Sequence, residues 1–128
     1  MSSATEIGGV DFLTVFVEDY PAAQKFYGEL LGLEHSVDYK KIPAGEYETG
    51  NLTLQLIDAA SIGREFKPSR NPIAFHVDDV EAARAELESQ GVEFFGATVD
   101  SGVCHMAHFR DPDGNALMFH HRYAPPSS

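Results

Sequence analysis

Two stretches of the chain pass through the same series of hydrophobic periods. VFVEDYPAAQKFYGELLGLEH begins with a short apolar run, crosses an acidic pair (Glu18-Asp19) and enters a helical pattern. AFHVDDVEAARAELESQGVEF does the same through Asp78-Asp79. Asp19 aligns with Asp79 and Ala22-Ala23 with Ala82-Ala83 at one offset, and a single deletion then sets Gly32 opposite Gly91. This is an internal repeat, and it organises everything else in the chain. Ala22, Phe26 and Leu30 recur at helical spacing, as do Val80, Ala83 and Leu87. Asp19, and Asp78 or Asp79, suit N-caps; Pro21 is tolerated in a first turn, and Gly32 and Gly91 suit the left-handed residue that closes a helix.

Each helix is followed by three strand-like runs, at 33–41, 45–49 and 52–58 and again at 92–99, 103–110 and 115–121. With opening strands at 10–17 and 72–77, the pattern predicts an α+β fold of two βαβββ modules. Module 1 spans about 8–58, a linker covers 59–70, module 2 spans about 71–122, and 123–128 form a flexible tail. Asp111-Pro112-Asp113-Gly114 is a turn by residue type. One helix covers only one face of a four-stranded sheet, so the two open faces are expected to form a curved mixed sheet around a cleft. Such a cleft suits a small molecule.

Composition narrows the partners. The 128 residues are 43% hydrophobic, enough for one domain with a real core, and the formal charge is −11. An acidic surface repels phosphate backbones and anionic lipid, which disfavours nucleic acid and membrane. No apolar run approaches the ~20 residues of a membrane span. Cys104 is the single cysteine, so no intrachain disulfide can form. That, with no signal-peptide pattern, leads to the expectation of a cytoplasmic protein.

The paired modules, the strand–Asp–helix ending in FYGELLGLE and the DPDGN before the last strand resemble the vicinal oxygen chelate superfamily. That superfamily includes glyoxalase I, extradiol dioxygenases, fosfomycin-modifying enzymes and bleomycin- or mitomycin-binding resistance proteins. The resemblance covers roughly residues 8–122 and implies the glyoxalase/bleomycin-resistance fold, often as a homodimer with units sometimes exchanged. It also implies a divalent metal held by His, Glu or Gln on four strands. The positions implied for those ligands carry Phe12, Gln55 (or, after a two-residue slip, Thr53), Pro72 and Met118. Phenylalanine and proline side chains offer no lone pair, and a thioether is a soft ligand for a hard ion. Gln55 alone could coordinate, so no metal is expected.

Strand parity places the remaining candidates. Met118 and His120 share a face and His121 faces away; Ala74 and His76 share the face of Pro72. The resemblance puts His108 where the dioxygenases have a cleft-facing catalytic tyrosine; Met106 and Cys104 share its face, and His105 opposes it. The expected ligand-binding set is therefore Phe12, Gln55, His76, Cys104, Met106, His108, Met118 and His120, with His108 the candidate acid–base residue. Tyr39 and Tyr47 are candidates for the cleft mouth or strand surface. Phe12, Phe16 and Phe75 are expected in the core, with Phe12 and Phe16 able to stack on a flat ligand. Arg64, Lys67 and Arg70 form a basic cluster in the linker, and Arg110 is expected to pair with an acidic neighbour. The expected function is metal-independent binding of a small, partly aromatic organic ligand. The alternatives are a metalloenzyme with a displaced histidine site, metal-free isomerase- or cyclase-type chemistry through His108, and a ligand-free scaffold.

Overall fold

The computed structural model describes residues 4–125; Met1–Ser3 and residues 126–128, which include most of the proline-rich end, lie outside the described residues. The strands are β1 (Phe12–Val17), β2 (Glu34–Tyr39), β3 (Ala44–Glu48), β4 (Thr53–Asp58), β5 (Ile73–His76), β6 (Phe94–Asp100), β7 (Cys104–Arg110) and β8 (Ala116–Arg122). The α-helices are α1 (Tyr20–Lys25) and α2 (Val80–Ser89). Module 1 forms a sheet of order β1-β4-β3-β2 and module 2 one of order β5-β8-β7-β6. In each sheet the opening strand runs parallel to the last strand of its module, and the other pairs are antiparallel.

Both helices start on an aspartate. Asp19 accepts from the Ala22 N–H and Asp79 from the Ala82 N–H, so Asp79, not Asp78, is the second cap. Gly32 and Gly91 take φ of 71° and 91° beyond the helix ends. The first helix departs from the sequence expectation at its C-terminal end. Phe26–Leu30 widens into a π-turn closed by the Leu31 N–H on the Phe26 carbonyl. Its buried residues are Tyr20, Ala23, Phe26 and Tyr27, while Ala22 and Leu30 are only half-buried. In the second helix Val80 and Leu87 are buried as their spacing requires. The linker also holds a short 3-10 helix, Ala59–Ile62, capped by Asp58.

The helix-covered faces of the two sheets border one core. Val15, Leu54, Leu56 and Tyr47 of the first sheet share it with Ala107, Phe109, Leu117 and Phe119 of the second. The Phe26 ring reaches Phe109 across the module boundary, 6.3 Å between centroids. Tyr47 is completely buried in this core and hydrogen-bonds the Tyr20 hydroxyl at 2.9 Å, so it is neither a cleft-mouth nor a surface residue. Its alternation partner Gly45 explains how two phenols fit there, since β3 has no side chain at that position.

The turn between β7 and β8 joins the modules. Asp111 is buried and accepts from the Tyr27 hydroxyl at 2.7 Å, the Asn115 amide and the N–H groups of Asp113 and Asn115. Asn115 donates to the Phe16 carbonyl and accepts from the Ser69 N–H. Asp113 accepts from the N–H groups of Glu18 and Asp19. Gly114, at φ 92°, closes the turn. The tail is tied down at its start: Tyr123 and Ala124 donate backbone N–H groups to Val103, and the Tyr123 hydroxyl donates to Asp100.

Candidate functional site

Cross-strand register decides which side chains share the faces turned away from the core. On the first sheet Thr14, Gln55 and Glu46 form one row, and Phe12, Thr53 and Glu48 the next. Their side chains are wired together. Thr14 donates to the Gln55 carbonyl oxygen at 2.8 Å, and the Gln55 amide donates to the Tyr39 hydroxyl at 2.8 Å. Tyr39 in turn donates to Glu46 at 2.5 Å. Beside this chain, Ser36 and Thr53 both donate to Glu48 and hold its carboxyl below the ordinary carboxylate range. The result is a polar face with two carboxylates, Glu46 and Glu48, two residues apart on one strand.

The second sheet presents a different chemistry. Phe95, His108, Met118 and Ala74 line up across its four strands, and Val99, Met106, His120 and His76 form the next row. Phe95 and Val99 are more than two-fifths exposed, and the Arg110 guanidinium lies over the Phe95 ring, 4.2 Å from its centroid. Arg110 thus stacks on an aromatic ring instead of pairing with an acid. Cys104 shares this face and is buried. Among the described residues His108 and His120 make no hydrogen bond, and His108, Met106, Met118 and His120 are all half-exposed. This face is apolar and aromatic, with imidazoles set into it.

The parity of every candidate strand residue follows the alternation in the sequence. Phe12, Phe16 and His76 depart from expectation in other ways. Phe12 is 54% exposed and is not core; Phe16 is half-buried, with the Arg64 guanidinium over its ring, 5.3 Å from the centroid. His76 pairs with His120 in register, yet its ring leans to His121, 5.7 Å between centroids, and to Asp78. No hydrogen bond among the described residues links the Gln55 network to His108. Pro72 sits where the edges of β1 and β5 meet, in a seam cavity of about 470 Å³ also lined by Thr14, Phe16 and Ala116. A larger cavity, about 830 Å³, lies between the modules on the helix side, lined by Leu13, Leu31, Leu54, Phe75, Leu87 and Phe119.

The sequence reading missed Thr14, Glu46, Glu48, Phe95 and Val99 as members of these faces. The signal for the first three was available, because period-2 alternation from Gln55 through its β3 partner selects Glu46 and Glu48. Phe95 and Val99 share a parity, but the β6 register on β7 shifts between them, so counting back from the turn does not match Phe95 to His108.

The positions that resemblance assigns to a metal can be tested against these contacts. Phe12, Pro72 and Met118 supply no hard donor. Gln55 supplies one, but its oxygen already accepts from Thr14 and its nitrogen donates to Tyr39. The donor set does not fit a divalent ion.

Two βαβββ sheets share one core through their helix-covered faces, and each keeps an open face of defined chemistry. The model of the Glyoxalase/Bleomycin resistance protein/Dioxygenase superfamily matches residues 9–119, and the chain belongs to that superfamily. It is 28% identical over 118 residues to YraH of Bacillus subtilis (strain 168), covering 82% of this chain and 91% of YraH. TnmS3, an antibiotic binding protein from Streptomyces sp. CB03234, superposes with a TM-score of 0.75 at 25% identity, over 90% of this chain and 96% of TnmS3. Lactoylglutathione lyase from Agrobacterium tumefaciens shares the fold, with a TM-score of 0.73 at 20% identity over 89% of this chain and 93% of the lyase. No helix among the described residues is long and apolar enough to cross a membrane.

Proposed function

We propose that the protein binds a small, partly aromatic organic molecule without a metal, sequestering or processing it. The observation that carries this reading is the state of Gln55: it is the one donor among the four positions where relatives would hold an ion, and both ends of its amide are engaged. The likeness to an antibiotic binding protein supports a sequestering role. The wall assigned to the ligand comprises Phe12, Gln55, Cys104, Met106, His108, Met118 and His120, with Phe95 added from the fold. The apolar, aromatic face suits a flat ring system, and Glu46 and Glu48 suit hydrogen-bond donors or a positive charge on the same ligand.

A second reading is metal-free acid–base chemistry at His108, favoured because its imidazole is half-exposed and unbonded. Substitution separates the two: His108→Gln lowers affinity if the ring only binds, and abolishes turnover at preserved affinity if it transfers protons.

The test is a thermal-shift screen of aromatic natural-product antibiotics on protein dialysed against EDTA, with hits measured by calorimetry with and without chelator. Affinity is expected to be the same in both. Binding that disappears with EDTA and returns with a divalent ion overturns the proposal, as does a screen in which nothing binds.

A further inference from the structure

His76, Asp78 and His121 come together at one end of the second sheet, away from the four positions where the resemblance implies a metal. His76 closes β5, His121 lies near the end of the neighbouring parallel-paired β8, and Asp78 sits in the turn into α2. One ligand atom from each lies within 4.8 Å of the others, and His76 Nε2 is 3.2 Å from Asp78 Oδ1. Asp78 has no capping duty, because Asp79 performs it. Among the described residues His121 Nδ1 is shut off from solvent and has no hydrogen-bond partner, an arrangement that costs about 1–3 kcal/mol unless something satisfies the ring.

We infer that these three residues form a binding site for a divalent transition ion of the Zn²⁺ type. Donors bound at ~2.0–2.2 Å to one tetrahedral ion lie about 3.3 Å apart, close to the His76–Asp78 separation already present. His121 is half-buried on β8 while His76 and Asp78 are exposed, so their side chains have room to turn toward it. Two imidazoles and one carboxylate select borderline ions such as Zn²⁺ over Mg²⁺ or Ca²⁺, which prefer all-oxygen shells. Three protein ligands leave at least one position for water or an exogenous group. His76 also lines the 830 Å³ inter-module cavity, so an ion here stands at the edge of that cavity. His76 borders the open face of the second sheet through its register partner His120, but Asp78 and His121 lie outside that face, and failure of the site would leave the metal-independent reading of the faces untouched.

The experiment is calorimetric titration of ZnCl2 into EDTA-stripped, dialysed full-length protein, with thermal unfolding in ZnCl2 and in MgCl2. One Zn²⁺ per chain is expected, with a rise in melting temperature in ZnCl2 and none in MgCl2. His76→Ala and Asp78→Asn should each weaken zinc binding about tenfold or more. Both are exposed and leave the fold intact, so the result does not depend on the half-buried His121→Ala. His108→Gln and His120→Gln should retain zinc binding. Absence of zinc binding, undiminished binding in His76→Ala and Asp78→Asn, or loss of binding in His108→Gln or His120→Gln would each overturn the site.

Discussion

Asp111 carries four hydrogen bonds on two oxygens, and one of its donors is the phenol of the fully buried Tyr27 in the other module. Asp111→Ala leaves that hydroxyl and the Asn115 backbone N–H without their partner and costs the Asn115 amide one of its two bonds, and should cost about 3–4 kcal/mol in urea unfolding. Asp113→Ala, whose partners are exposed backbone N–H groups, should cost less than ~1 kcal/mol. The buried phenols predict a pH dependence as well. Desolvation raises the pKa of Tyr27, Tyr47 and Tyr20 above the ordinary phenol value. The folded state therefore holds these protons more tightly than the unfolded chain. Their contribution is complete below about pH 10 and is lost as pH rises beyond it, by up to ~1.4 kcal/mol per pH unit for each phenol. Unfolding followed at pH 8 and pH 11 should show that decline, and Tyr27→Phe should shallow it; equal stability at both would refute it. The sequence showed DPDGN as a turn because turn chemistry is local. Its second duty, joining the modules, was invisible because Tyr27 and Phe16 are distant in sequence.

At the scale of elements, all eight strands and both helices were legible, since alternation and helical spacing are written in adjacent residues and only their ends moved. Two features were not. The π-turn at Phe26–Leu30 adds a residue to the helical turn and rotates the buried face onto Tyr27, which spacing counted at 3.6 residues cannot show. The bulge in β6 sets extra residues between Phe95 and Val99, which a count of paired residues cannot show. Gly45 shows how closely one element fits another. A Cβ there would run into the Tyr20 hydroxyl and lie 2.8 Å from His35 Nε2 and 2.9 Å from the Val37 carbonyl oxygen. The carbonyl belongs to the neighbouring strand and cannot swing aside. Gly45→Ala should lower stability by about 1–3 kcal/mol. Gly28→Ala is the control, because its Cβ would sit at an ordinary 3.5 Å from the Tyr47 ring and helical propensity favours alanine. It should be neutral or stabilising by up to ~1 kcal/mol. Chemical denaturation of the two variants separates a packing constraint from a general intolerance of substitution.

For the whole molecule, the two open faces carry complementary chemistry. The first sheet brings carboxylates and the Gln55 network; the second brings imidazoles, Met106, Met118 and Phe95. Each face is turned away from the core the sheets share, and the ligand proposed above is expected to use both. A second copy placed about a two-fold axis sets the first sheet of one chain against the second sheet of the other, and it does so twice. The start of the chain supplies apolar surface for such an association: Ile7, Val10, Phe12 and Leu13 are 87%, 67%, 54% and 42% exposed, and β1 pairs only with β4. The protein is therefore expected to sediment as a homodimer, and Phe12→Glu to sediment as a monomer that no longer binds the screened ligand. Mixing variants gives the sharper test. If each site takes Gln55 from one chain and His108 from the other, Gln55→Ala and His108→Gln homodimers are both defective. A heterodimer of the two then has one site with both substitutions and one with neither. Random exchange in an equimolar mixture makes half of the dimers hetero, so about a quarter of all sites should regain full affinity. If Gln55 and His108 serve one site within a single chain, the mixture will bind no better than its components.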